Sequence, residues 1–294
     1  MYCAFKKLKT FKELGYNDYI IVPYIAGESK LFLRKVKRIP LLGVSGSGKT
    51  YFLLSLGYMV SLYKWGEVSG DAAKYFNDLL QYVLRFEPIP STMKTIEIQI
   101  DIRKIYIDGQ ERNARFVLST KDFSGREFEI AMRIFKESFG EIPEDRVVKK
   151  FINLYRKSDG FIVIVDLVRD ITDPEEFRRN KDRYIFNAFS EQISPLASGI
   201  ELLIEYANVK GKPIFFVFTK SDVHNLSVDE LSKYFDRIMA ITIARLENRG
   251  VIIRKYATSA VGWGSGSNED MLRALEVRGF GDILRDIVKY IVWR

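Results

Sequence analysis

Apolar positions change their spacing repeatedly along this chain, and that alternation is the first guide to its fold. Residues 39–44, 160–165, 213–218 and 251–256 are short apolar-rich runs, the pattern of strands buried on both faces. Between them the spacing shifts to that of helices, over 49–63, 184–209 and 228–248, and residues 268–293 close the chain as another helix. Strand and helix patterns alternate from about Arg38 to the end, which predicts an α/β domain built on a mostly parallel sheet.

Other segments depart from simple alternation. Residues 70–86 read as an amphipathic helix with Ala73, Phe76, Leu79, Leu80, Val83 and Leu84 on one side, stopped by Pro88 and Pro90. Residues 96–107 alternate apolar with polar, Asp108-Gly109 signals a tight turn, and 115–118 returns, so a β-hairpin is expected. Helices are expected over 127–139 and 146–157, separated by Gly140 and Pro143. Near the start, 19–25 and 31–36 suggest a second hairpin around Ala26-Gly27-Glu28, read as an added edge of the sheet. The expected organisation is an N-terminal β extension over residues 1–37 and one larger domain over 38–294.

Composition narrows the chemistry. Of 294 residues 47% are hydrophobic and 29% charged, which supports a buried core and argues against disorder. No apolar run approaches the roughly 20 residues of a bilayer-spanning helix, and the lysines within the first ten residues have no apolar segment behind them. A cytoplasmic location without a signal peptide is expected. Cys3 is the sole cysteine and His224 the sole histidine, which excludes an intrachain disulfide and most His/Cys zinc arrangements. The net charge of +8 has two readings. One is a polyanionic partner such as nucleic acid or an anionic membrane face; the other is a densely charged surface of the kind common in thermophilic proteins.

One segment carries specific chemistry. Gly43-Val44-Ser45-Gly46-Ser47-Gly48-Lys49-Thr50 matches the phosphate-cradling pattern G-x-x-x-x-G-K-[ST], with a strand pattern before it and a helix pattern, beginning Lys49-Thr50-Tyr51, after it. Glycines let backbone N–H groups converge on phosphate, the lysine places a cation against the β and γ phosphates, and the threonine hydroxyl ligates Mg²⁺. The loop specifies a nucleoside triphosphate and says nothing of the base.

Further motifs follow in order. Asp122-Phe123-Ser124-Gly125 lies beyond the returning hairpin strand, Thr219-Lys220-Ser221-Asp222 follows the apolar run 213–218, and Thr258-Ser259-Ala260 follows 251–256. With the phosphate loop, these resemble the P-loop GTPases of the Ras-like and translation-factor-like (TRAFAC) class, over roughly residues 38–294. The stretches at about 66–90 and 129–157 are longer than a minimal domain of that class and adjoin its switch regions. The resemblance implies a three-layer α/β/α G domain with one antiparallel hairpin strand, and GTP or GDP as ligand with Mg²⁺ as cofactor.

By resemblance, Ser45, Gly46, Ser47, Gly48, Lys49, Thr50 and Tyr51 surround the phosphates. Thr50 and Asp122 hold Mg²⁺, and the Gly125 N–H touches the γ-phosphate. Thr219, Lys220 and Asp222 embrace guanine, with Thr219 in place of the commoner asparagine, and Ser259-Ala260 supports the guanine oxygen. An aspartate there accepts two hydrogen bonds from the guanine edge, a donor pair adenine lacks. Asn180-Lys181 is a poorer candidate, since Arg183 stands where the aspartate is required.

The switch I threonine is expected at Thr92, with Thr95 as the alternative. Where Ras-like proteins place a water-orienting glutamine, this chain has Arg126, a donor-only cation. Slow intrinsic hydrolysis is therefore expected, through Lys49, Thr92, Gly125 and Arg126, with Arg126 itself able to neutralise transition-state charge. The implied role is a molecular switch with a protein effector or activator. Two alternatives stand beside it: an ATP-using P-loop ATPase or kinase, and a scaffold that holds nucleotide without hydrolysing it.

Overall fold

Apolar alternation along the strands dictates the layers of this protein. A computed structural model describes residues 19–22, 32–69, 97–119, 125–138, 144–166, 174–221, 226–259 and 279–293. In order, the elements are β1 (Tyr19–Val22), β2 (Phe32–Lys35), β3 (Lys37–Leu42), α1 (Lys49–Leu62), β4 (Gly66–Ser69), β5 (Glu97–Ile107) and β6 (Gln110–Ser119). Then come α2 (Gly125–Glu137), α3 (Arg146–Lys157), β7 (Phe161–Asp166), α4 (Pro174–Arg179), α5 (Lys181–Tyr206), β8 (Pro213–Thr219), α6 (Val228–Asn248), β9 (Ile252–Ala257) and α7 (Phe280–Ile287). A π-helical turn, Val288–Val292, follows α7 directly.

Residues Met1–Lys37 and Arg38–Arg294 form two compact units. In the first, β1 and β2 pair antiparallel, Tyr19 opposite Lys35 and Val22 opposite Phe32, as a two-stranded sheet of their own. The two strands of the expected hairpin are paired, and its turn around Ala26-Gly27-Glu28 lies outside the described residues.

The larger unit is built on seven strands in the order β4-β5-β6-β3-β7-β8-β9. Pairs β3/β7, β7/β8 and β8/β9 are parallel, whereas β4/β5 and β5/β6 are antiparallel. Both β3 and β6 run toward one end, because Gly125 just after β6 abuts Ser45 just after β3. Strand β5 alone therefore runs against the rest, as expected.

Strand β7 is buried at every position. Its alternate side chains Phe161, Val163 and Val165, with Ile214, Phe216 and Phe218 of β8, enter a core shared with α2, α3, α5 and α6. The intervening Ile162, Ile164, Phe215 and Val217 enter a second core shared with α1 and α7. Two apolar faces covered by helices make a three-layer α/β/α architecture.

The ends of these elements have local causes. Asp108 and Gly109 both take positive φ, 49° and 75°, the two-residue turn that matches strand twist in a hairpin. At that tip Lys289 Nζ meets Asp108 at 2.9 Å, and the Trp293 indole N–H donates to the Asn113 carbonyl at 2.9 Å. Helix α3 is capped by Asp145, which accepts from Val147 and Val148 N–H, and α6 by a Ser227–Glu230 capping box.

Three segments differ from the sequence reading. Strand β4 is an additional edge strand, placed by its ladder to β5 and not by any alternation of its own. The expected helix at 184–209 starts earlier, with α4 and then α5 from Lys181. Among the described residues the closing helix starts at Phe280, since Gly279 at φ 80° sets its N-cap in the left-handed region. The expected helix at 70–86 lies outside the described residues. Among the described residues no helix is long and apolar enough to cross a membrane.

Candidate functional site

The carboxyl ends of β3, β6, β7, β8 and β9 lie at one end of the sheet, the place where open α/β sheets bind ligands. The loop from Gly43 to Gly48 leaves β3 there and enters α1. Gly46 and Gly48 adopt φ of 73° and 90°, which side chains with a Cβ rarely take. Gly48 is the N-cap of α1, and that helix opens with no side-chain cap and no acidic residue in its first turn. Unlike α3 and α6, α1 presents the partial positive charge of its N-terminus with no side-chain cap over it.

Lys49 lies partly buried under this loop, its Nζ donating to the Gly43 carbonyl at 2.8 Å and the Val44 carbonyl at 2.6 Å, with the Ser47 hydroxyl at 3.4 Å. Carbonyl dipoles do not neutralise an ammonium. Burial accordingly pushes its pKa down from 10.5 to about 8, against a smaller upward pull from the Glu129 carboxylate. Ser47 is buried, Ser45 and Gly46 are exposed, and Tyr51 packs at the edge of the core shared with α1. Thr50 is half-buried in the first turn.

The Thr219 side chain, also buried, ties this loop to the end of β8: its hydroxyl donates to the Ser47 carbonyl at 3.2 Å and lies 3.3 Å from the Val165 carbonyl. Next to it, Lys220 takes a φ of 58° and sends its ammonium to Asp166 Oδ2 at 2.7 Å. Ser221 N–H donates to the Thr258 carbonyl at 3.1 Å, and Thr258 N–H to the Phe218 carbonyl at 2.8 Å. Ser259 is buried with its hydroxyl unpartnered, a donor and acceptor directed into the protein at this end of the sheet.

Gly125 begins α2 against the phosphate loop. A Cβ there would lie 2.3 Å from Ser45 N, so no other residue fits without moving the loop. The structure thus brings Ser45 to Tyr51, Gly125, Arg126, Thr219, Lys220 and Ser259 to one end of the sheet. Thr92, Thr95, Asp122, Asp222 and Ala260 lie outside the described residues, as does His224. Arg126 is exposed and lines a groove of about 780 Å³ between α2 and α5, together with Val44, Glu129, Arg133 and Ser194.

Two further residues here escaped the sequence reading. Gln192 on α5 is fully buried; its Oε1 accepts from Asp166 N–H at 3.0 Å while its Nε2 donates to the Asp166 and Ala188 carbonyls. It thereby caps the last rung of β7 and fixes the residue that holds Lys220. Glu129 on α2 accepts from Ser45 N–H at 2.7 Å. A lone glutamine in an apolar helical stripe is a weak signal of the first; nothing in the local pattern marks the second.

The fold is a three-layer α/β/α domain whose β3 leads into α1 through the glycine-rich loop Gly43–Gly48. No family model and no curated protein matches the sequence. Among solved structures, the signal recognition particle receptor SRb-GTP/SRX complex from Chaetomium thermophilum is similar, with 12% identity and a TM-score of 0.40 over 83% of this chain and 99% of that one. The SsGBP and GDP complex is similar with 17% identity and a TM-score of 0.34 over 98% of this chain. The chain spans 57% of the length of that SsGBP structure.

Proposed function

We propose that this protein is a guanine-nucleotide-binding switch of the P-loop class that hydrolyses GTP slowly. One observation carries the reading: three loops at one end of the sheet are stitched together by main-chain and hydroxyl contacts around an uncapped helix end and a buried ammonium. Those contacts are Thr219 to Ser47 and Ser221 to Thr258. A nucleotide would supply the anion that Lys49 and α1 lack, and the base would lie toward Lys220 and Ser259. Asp222, in the T-K-x-D sequence that continues from Thr219, is assigned to the guanine edge.

Mg²⁺ is the cation this reading implies. Among the described residues no group of three or more acid, histidine or cysteine side chains is placed to hold a metal. A divalent cation here would depend on phosphate oxygens and water together with Thr50, Asp122 and Thr92, which is how Mg²⁺ is usually held. When bound, it would neutralise charge on the phosphates. Lys49 would do the same from below the loop, and Arg126 cannot orient an attacking water as an amide does. Turnover well below 1 per second is therefore expected for the isolated protein.

A switch acts through a second protein, and the α2 groove beside the loop is the surface we assign to an effector or activator. The net charge of +8 is compatible with nucleic acid or anionic membrane contact, and a cytoplasmic location is part of the same reading. Competition binding tests the assignment: unlabelled GTP should displace labelled GDP, and ATP should not. Equal displacement by ATP would remove guanine selectivity. Asp222→Asn should weaken GTP and admit xanthosine triphosphate, and an unchanged preference would place the base elsewhere.

A further inference from the structure

Glu129 brings a negative charge to a loop built for phosphate. Its carboxylate accepts the Ser45 N–H at 2.7 Å, and its charge acts on Lys49 beneath the same loop. The approach is set by backbone contact: Gly125 packs against Ser45, and Glu129, one helical turn further along α2, is carried over the loop on the same face. Ser45 lies at the exposed turn of the loop, three residues before the helix N-cap at Gly48. The first phosphates of a nucleotide would take the uncapped N-terminus of α1, leaving the Ser45 N–H to the outermost one.

One N–H cannot serve two anions, and two negative charges within hydrogen-bonding distance of the same group repel. We propose that Glu129 is a specificity-determining residue of the nucleotide site: its carboxylate takes the position of a terminal phosphate on Ser45 and disfavours nucleoside triphosphate relative to diphosphate. The inference rests on the nucleotide reading above and names which phosphate the protein resists. Triphosphate binding requires this carboxylate to leave Ser45, by rotation of its side chain or by a shift of α2, the helix that lines the groove with Arg126, Ile130 and Arg133. Diphosphate leaves the contact in place. The contact between α2 and the loop at Ser45 thus depends on the outermost phosphate through a residue absent from the sequence motifs.

The test uses the full-length protein and isothermal titration with GDP and with a non-hydrolysable GTP analogue, both with Mg²⁺. Glu129→Gln keeps the side-chain shape and an acceptor oxygen while removing the charge. It should raise affinity for the GTP analogue on the order of tenfold, the size of one charge-assisted hydrogen bond as a ratio of equilibrium constants. Affinity for GDP should stay within about twofold. Glu129→Asp, one methylene shorter, should give a smaller gain for the analogue and again spare GDP. Unchanged affinity ratios in both variants overturn the proposal, and so does an equal gain for both nucleotides. If neither nucleotide binds the unmodified protein or the variants, the guanine nucleotide reading itself falls, and the inference with it.

Discussion

The Thr219 hydroxyl donates to the Ser47 carbonyl at 3.2 Å, joining residues 172 positions apart in sequence. It is the link that makes the end of β8 part of the phosphate loop. Thr219→Val keeps the volume and removes the donor, leaving the Ser47 carbonyl without its partner. A loss of about 1 kcal/mol of stability is expected, which corresponds to a melting temperature lower by about 2–4 °C for a domain of this size. GDP affinity should fall about fivefold as the loop loosens, roughly the same free energy. Thermal unfolding and titration on one sample check both.

Burial of the Lys49 ammonium works against the stability of the ligand-free fold. Its pKa is depressed in the folded protein, so the unfolded chain binds the proton more tightly, and the penalty stands in full below about pH 8. The penalty disappears as pH rises from about 8 toward the ordinary lysine value. Lys49→Met should therefore raise the melting temperature of the nucleotide-free protein at pH 7, by the equivalent of about 2–3 kcal/mol. The same variant should lose measurable nucleotide binding. A lower melting temperature would show that the lysine's contacts outweigh its desolvation.

Nucleotide affinity should itself depend on pH. Phosphate favours the ammonium, so binding is strongest where the free protein already carries the proton. Titrations of GDP should give constant affinity from about pH 6.5 to 8, then a decline of up to about tenfold per pH unit above it. Constant affinity through pH 9.5 would contradict the assignment of Lys49 to the phosphates.

Gln192 makes its contacts from a fully buried position, where an unmet polar group is expensive. Gln192→Leu would remove the side-chain partner of the Asp166 N–H and carbonyl, at about 1–3 kcal/mol in all. A loss of stability of this order is expected, along with weaker GDP binding because Asp166 no longer holds Lys220 in register. Gln192→Glu keeps the acceptor and loses the donor, so it should be destabilised as well. Normal stability in the leucine variant, read from denaturant unfolding, would remove the clamp.

Tyr155 presents the opposite case. Its hydroxyl is buried in the core shared with α2 and α5 and has no partner, and burial raises its pKa far above the usual phenol range. Tyr155→Phe should be neutral or stabilising by up to about 1 kcal/mol. Destabilisation beyond about 1 kcal/mol would point to an internal water bound at that hydroxyl.

Much of the fold was legible because its signals are local. Helices α3 and α6 have the bounds their patterns give, since each has apolar spacing and a capping side chain at its start. Strands β7 and β8 are continuous apolar runs that only a doubly covered sheet can bury. Strand β4 was not legible: Gly66-Glu67-Val68-Ser69 has one strongly apolar residue and is a strand only because β5 lies beside it. The glycine-rich turn between β3 and α1 was legible from its glycines, two of which take positive φ at Gly46 and Gly48. Glu129 and Gln192 were missed because each gains its role from a partner 84 or 26 positions away, which no short pattern encodes.

The tip of the β5–β6 hairpin is fastened to the C-terminal segment by Lys289 and Trp293, and its ladder changes register between Ile102 and Ile105. A ribbon held at its far end and pinned by an irregularity cannot slide lengthwise. Slippage by one residue would turn Ile98, Ile100 and Phe116 out of the core, and slippage by two would break both fastenings. The β5–β6 ribbon is therefore a fixed floor beside α2, one that resists piston travel along its own length.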